Sequence, residues 1–169
     1  VSTQGTRAIE ALRRAGIPYE VVAYEAPARH GAARSARPDY GLEAAVALGL
    51  PPARVCKTLV VSVDGDLVVA VIAVDQTLDL KRLAVAVGRR RAEMADPRVA
   101  ERATGYVIGG ISPLGQRRRL PTVLDAAPAT LDRVHVSAGR RGLQLVVAPA
   151  DLIRLADAVV ADIAARPRD

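Results

Sequence analysis

The 169-residue sequence contains no Phe, no Trp and only four Tyr. Its core must be built from Ala, Val, Leu and Ile, and the scarcity of rings argues against a protein that stacks successive bases on aromatic side chains. A single Cys rules out an intramolecular disulfide. With two His, one Cys and neither a CxxC nor an HExxH motif, no credible metal site is present. A Walker A loop and a GxGxxG fingerprint are also missing. No segment has the long apolar run of a membrane helix, which argues against a membrane partner. The opening VSTQGTRAIEALRRAG lacks the apolar stretch of a signal peptide, so the cytoplasm is the expected location. Lysine is scarce too: of 24 cations only Lys57 and Lys81 are Lys.

What remains is sufficient for one folded domain, expected over 1–169. Half the residues are apolar and a quarter are charged, a balance that supports a buried core rather than a disordered tail. The net charge of +6 permits an anionic partner such as RNA without demanding one. Because arginine serves almost wherever a generic cation is needed, the lysines stand out. An ammonium is compact and can lose its proton, as a guanidinium cannot.

Pattern and punctuation predict a helix over about Thr3–Ala15, closed by Gly16, then a strand over Tyr19–Tyr24. A loop follows from Glu25 to Asp39, then a helix from Tyr40 to Gly49. Lys57–Asp64 and Leu67–Val74 read as a β-hairpin turning at Gly65-Asp66, with the second strand central because both its faces are apolar. Asp79 and Asp96-Pro97 each signal a helix start. Gly105–Gly115 carries too many glycines for a strand or helix. Strands are expected at Thr122–Asp125, Arg133–Ser137 and Leu143–Val147, and a final helix over Pro149–Ala165. The order mixes hairpins with helical crossovers. It predicts an α/β (α+β) domain with a mixed, curved sheet and helices outside, rather than a doubly wound sheet.

Few residues in this inventory can carry chemistry. Cys56 and Lys57 point to opposite faces if both lie on a strand, which makes Cys56 a core residue. His30, in the loop, and His135, in a strand, have no partner residues that mark catalysis. Lys57 opens an apolar strand beside Thr58. It is either an exposed edge lysine or a cation at the mouth of a pocket, and spacing alone leaves both open. Gly109-Gly110-Ile111-Ser112-Pro113 lets the backbone approach a ligand and present N–H groups to developing negative charge. Ser137 opens the turn SAGRRG, where Arg140 and Arg141 can meet phosphate. The runs Arg89–Arg91 and Arg117–Arg119 are equally readable as a phosphate track or a solvated face.

Taken together, KTLVV, AEMADPRVAERATGYVIGGISPLGQRRRLPTV and VSAGRRGL, in that order, resemble the YbaK/EbsC family of aminoacyl-tRNA deacylases. That family is related to the editing domain of bacterial prolyl-tRNA synthetases. The resemblance implies a barrel-like mixed sheet and hydrolysis of the ester of a mischarged tRNA, with Cys-tRNA(Pro) the usual substrate and Ala-tRNA(Pro) or others for related members. It implies no cofactor, no DNA partner, the tRNA acceptor end as partner, and a transient complex with prolyl-tRNA synthetase. Carried over, Lys57 matches the essential lysine and Thr58 the adjacent threonine. Gly109 and Pro113 bound the GxxxP loop, with Gly110 and Ser112 inside it. Tyr24 and Tyr40 match pocket positions, Ser137 the serine of a Ser-Gly-Gly turn. The chain departs from the pattern at Ala138, at Gln144, where the family has a small polar or acidic residue, and in the longer HGAARSARPD stretch before Tyr40. A non-catalytic binding module on the same fold is the rival from another class.

Overall fold

The computed structural model describes residues 5–26 and 39–165. Most of the loop expected from Glu25 to Asp39, with His30 in it, and the first residues of the expected N-terminal helix lie outside the described residues. Along the chain run α1 (Arg7–Ala15), β1 (Glu20–Ala23), α2 (Tyr40–Leu48), β2 (Cys56–Val63), β3 (Asp66–Ala73), α3 (Leu80–Ala86), β4 (Ala92–Met94) and α4 (Pro97–Thr104). They continue with β5 (Thr122–Asp125), α5 (Ala126–Ala129), β6 (Val134–Ser137), β7 (Leu143–Val147), α6 (Pro149–Ala156) and β8 (Val159–Ala161).

The helix starts follow from side-chain caps. Thr6, Asp39, Asp79 and Asp96 each accept a backbone N–H from the first turn. Thr6 therefore sets the start of α1 at Arg7, later than the apolar pattern suggests. The β2–β3 hairpin turns one residue earlier than expected, at Asp64-Gly65, with both at positive φ (47° and 87°) and Val63 opposite Asp66. Asp64 tolerates this conformation because its carboxylate accepts the amides of Arg90 and Arg91 at 3.0 Å each. Those bonds, the Arg90 amide foremost, hold its carboxyl below the usual range.

The strands form two sheets. One has the order β1-β7-β6, the other β4-β2-β3-β5-β8. The mixed α/β class is borne out, with β3 central in its sheet. Among the described residues the two sheets meet at a single parallel bridge, Val55 to His135, and no closed barrel forms. β3 is apolar on both faces because each meets a different core. Val69 and Val71 join a large cluster with Leu124, Val136 and Leu145. Val68, Ala70 and Ile72 face Leu83, Ala84 and Ile163. No helix among the described residues is long and apolar enough to cross a membrane.

The expected last helix is cut in half. α6 ends at Ala156, Asp157 takes a left-handed conformation (φ 51°), and Val159–Ala161 pair in parallel with β5. The apolar spacing of Leu152, Leu155, Ala156, Val159 and Ile163 is compatible with a longer helix. The open edge of β5 instead captures the β-branched Val159-Val160 as a strand. The buried Asp125 carboxylate then accepts the amides of Ile163 at 3.0 Å and Ala164 at 3.3 Å.

Replacing Asp125 with Ala leaves those two amides without their acceptor. The expected loss is about 1–3 kcal/mol, read as a lower urea midpoint at unchanged slope.

Candidate functional site

The candidate site is built where β2 and β6 part. From the Val55–His135 bridge the strands run parallel, so Lys57 and Ser137 each stand two residues beyond it, on the bridge's own face. Ser137 lies opposite Gln144 on β7, and Gln144 opposite Val22 on β1. Lys57, Ser137 and Gln144 therefore form a row across three strands. Tyr24, two positions on from Val22, closes one end: its amide donates to Gly142 O at 2.9 Å. This face is turned away from the large core, which takes the alternate residues Val134, Val136, Leu143 and Leu145. α2 lies on the site side, with Ala44 and Ala45 packed with Val55 and Val74, and Tyr24 against them.

Lys57 is half-buried, and its Nζ donates to Val74 O at 3.4 Å, a long bond. Among the described residues no carboxylate pairs with it, so most of its donor capacity is unspent. Cys56 points the other way, into the large core, as strand alternation requires. Burial pushes its thiol up to about 12, with the Asp125 charge adding to the shift. Thr58 shares the side of Cys56 and Val60, not that of Lys57, and its Oγ1 is buried without a partner. Two buried acceptor-capable atoms on the site face also lack partners: Gln144 Oε1 and His135 Nδ1. Buried polar atoms are normally paired, so such a pair on one face calls for a ligand or a water. Sequence reasoning did not put His135 on this face; only its alternation with Ser137 could have signalled it.

The glycine-rich segment forms the facing wall. Gly110 lies so close to the 138–142 turn that a Cβ would stand 2.6 Å from Arg140 Cα. Gly109, at φ 95°, packs under the Tyr40 ring, whose carbons lie 3.2 Å from where its Cβ would be. Arg141 sits over the other part of this arrangement, 5.1 Å from the Tyr40 ring centroid, and bonds Glu43 on α2 at 2.8 Å. Arg141 thus contributes to the wall instead of standing free for phosphate. Gly41 touches Val74, whose carbonyl Lys57 binds, so an unbroken chain of contacts links Lys57 to the Gly109–Gly110 loop.

The loop is held from behind by residues that sequence reasoning passed over. Tyr106 is buried and donates its hydroxyl to Leu114 O at 2.6 Å. Thr104 Oγ1 accepts the Tyr106 amide and donates to Ala100 O. Ser112 faces inward, where its Oγ accepts the Leu114 amide at 3.3 Å, and Pro113 lines a separate cleft against α6. These two therefore shape the loop and do not join the row. The only signal for Tyr106 was an aromatic residue inside a glycine-rich stretch of a chain with four. Ala138 buries its methyl in the large core, and the positive-φ positions of the turn are Gly139 (φ 111°) and Gly142 (φ 91°). Arg117, Arg118 and Arg119 are exposed and lie beyond the loop. Among the described residues no cluster of His, Cys, Asp or Glu could hold a metal ion.

A model of the aminoacyl-tRNA editing domain matches residues 40–155. A protein of Enterococcus faecalis named "Putative Cys-tRNA(Pro)/Cys-tRNA(Cys) deacylase EbsC" is 35% identical over 161 residues, covering 95% of this chain and 93% of that one. The "Multifunctional Ser/Thr-tRNA deacylase ProXp-y" of Escherichia coli K12 is 31% identical over 155 residues, covering 89% and 86%. A solved structure described as "a putative trans-editing enzyme for prolyl tRNA synthetase" superposes with a TM-score of 0.82 at 26% identity, covering 98% and 99%.

Two measurements test the electrostatics. With its pKa near 12, about one Cys56 thiol in ten thousand is ionised at pH 8. Iodoacetamide at that pH should leave the native protein unlabelled and label it fully in urea. His135 is held below its ordinary pKa, by burial first and then by the Arg54 guanidinium, against the pull of Glu20. The unfolded chain therefore binds that proton more readily. The contribution is intact above about pH 6.5 and is lost as the pH falls. His135→Gln should flatten the fall in urea midpoint between pH 7 and pH 5.

Proposed function

Since the chain belongs to the aminoacyl-tRNA editing domain family, whose named relatives are aminoacyl-tRNA deacylases, we propose that it hydrolyses Cys-tRNA(Pro), with Lys57 as the central catalytic group. The observation that carries this reading is the Lys57 ammonium. It is half-buried on the open side of the β2–β6 gap, bonded only at 3.4 Å to Val74 O, and without a carboxylate partner among the described residues. A cation so placed is available to a substrate oxygen.

An aminoacyl ester is already activated, so no strong protein nucleophile is needed. Cys56 could not serve, because it is buried on the opposite side and its thiol is held protonated. The ester carbonyl is placed between Lys57 and the Gly109–Gly110 backbone. Lys57 donates to the carbonyl oxygen as negative charge develops there, or to the departing ribose oxygen. For a cysteinyl ester the substrate's own sulfur attacks the carbonyl carbon. The S–C bond forms, the ester C–O bond breaks, and the proton given up by the thiol ends on the ribose oxygen; water then opens the thiolactone to free cysteine. An alanyl or seryl ester needs a positioned water instead.

Gln144 Oε1, buried and unpartnered in the same row, is suited to accept from the substrate's α-ammonium or from a side-chain hydroxyl or thiol. Ser137 stands between it and Lys57. Tyr24 and Tyr40 close the ends of the pocket. Thr58 acts from the core side, through the placement of its strand. The prolyl-tRNA synthetase complex remains part of this proposal, as the source of the mischarged tRNA.

Deacylation of Cys-tRNA(Pro), Ala-tRNA(Pro) and Ser-tRNA by wild type and Lys57→Ala is the test. Wild type is expected to remove the cysteinyl ester fastest, and the substitution to lower that rate by about 10²–10³-fold. An equal rate for the variant would overturn the role of Lys57. Hydrolysis of none of the three by folded protein would favour a binding module.

A further inference from the structure

The two arginine runs that the sequence keeps apart come together in the fold. Arg89, Arg118 and Arg119 line one cleft of about 290 Å³, floored by Val63 and Val68. Asp66, the carboxylate in its lining, pairs with Arg89 at 2.9 Å. Three arginines therefore share this lining with one carboxylate, and Arg118 and Arg119 stand at its border with the cleft against α6. Among the described residues Arg118 and Arg119 make no ion pair. Arg90 and Arg91 are exposed on the same turn as Arg89, and Arg117 beside Arg118. The other nearby carboxylates are Asp64, whose oxygens are taken by the Arg90 and Arg91 amides, and Glu93, exposed on β4. The backbones of both runs are fixed. The amides of Arg117 and Arg118 donate to Thr104 O and Ala103 O, and that of Arg89 to Ala84 O.

We infer that this cleft is the seat of an RNA phosphate backbone, and that it holds the paired part of the acceptor stem rather than its unpaired 3′ end. The inference rests on the aminoacyl-tRNA reading above and adds a distance to it. Lys57 and Val63 are six positions apart on β2, which places the cleft about 20 Å from the lysine along the strand. A stacked strand rises about 3.4 Å per nucleotide in B-form geometry and less in the A-form of RNA. With the terminal ribose ester at Lys57, the cleft meets phosphates about six or more nucleotides back. Guanidinium groups presented from two fixed turns suit phosphate oxygens, which they can bind two at a time. A merely solvated face has no need to gather two distant runs into a concave site with one opposing charge.

The test separates binding from chemistry. Fluorescence anisotropy with an uncharged RNA hairpin carrying the tRNA(Pro) acceptor stem is compared for wild type, the triple variant Arg89→Ala/Arg118→Ala/Arg119→Ala, and Asp66→Asn. The substituted side chains are exposed or at an exposed turn, and urea midpoints check that each variant folds. The triple variant should bind at least tenfold more weakly, with its log–log salt slope reduced by about one for each phosphate no longer neutralised. Asp66→Asn should bind more tightly, because the opposing charge is gone. In deacylation the triple variant should raise KM for full-length Cys-tRNA(Pro) and leave a short cysteinylated CCA oligonucleotide unaffected. Unchanged affinity and salt slope in the triple variant would overturn the inference, as would an equal loss on the short oligonucleotide. RNA binding through the cleft by a protein that deacylates nothing would leave the inference standing and overturn the catalytic reading instead.

Discussion

Val55 and His135 form the only bridge between the two sheets among the described residues, and the candidate site depends on the fact that pairing stops there. Had β2 and β6 continued to pair, their backbone groups would be spent on each other and no gap would open between Lys57 and Ser137. Because they part, Lys57 and Ser137 look across a gap at the same height. The gap is roofed by α2 and walled by the Gly109–Gly110 loop. One face of each strand is tied to the large apolar core, so the polar residues on the other face cannot rotate away. The core thereby positions the chemistry: Val134, Val136, Leu143 and Leu145 fix the direction of Ser137 and Gln144.

The wall of the site is set by close approach. Gly110 against the Arg140 backbone leaves no room for a side chain, and Gly109 under Tyr40 is held by its positive φ and a close ring contact. Tyr106, Thr104 and the inward Ser112 hold the loop from behind through hydrogen bonds to its own backbone. Rigid backbone at this place is what electrostatic catalysis requires, because fixed dipoles need no reorganisation as charge develops. Arg141 shows the same economy. Its guanidinium joins Tyr40 of the roof to Glu43 and so locks α2 to the turn. It stabilises the shape of the pocket where the sequence offered it as a phosphate contact.

Lys57, small and with three freely directed donors, stands in the gap. Arg89, Arg118 and Arg119, planar and always charged, meet at the far end of the same hairpin. A basic protein with few aromatics has little means of gripping RNA bases. Under the proposed reading, affinity would come from the backbone of the nucleic acid, and selectivity from the pocket and from its distance to the cleft.

Local signals decided much of this protein from its sequence. Capping Asp residues and closing glycines fixed α2, α3 and α4, because those contacts span three or four residues. The double-sided apolar run of β3 fixed its central place, and alternation sent Cys56 and Lys57 to opposite faces. The family resemblance gathered Lys57, Gly109, Ser137 and Gln144 as candidates. What the tertiary structure alone decided depends on partners distant in the chain. The open edge of β5 turned Val159–Ala161 from expected helix into strand, since apolar spacing does not distinguish the two when an unpaired edge competes. The Asp64 carboxylate moved the hairpin turn by bonding amides more than twenty residues away. The parting of β2 from β6, which makes the pocket, and the meeting of Arg89 with Arg118 and Arg119, which makes the cleft, leave no local trace. Both arise from packing between segments that share no periodicity, and packing of that kind is not written in any single stretch of the chain.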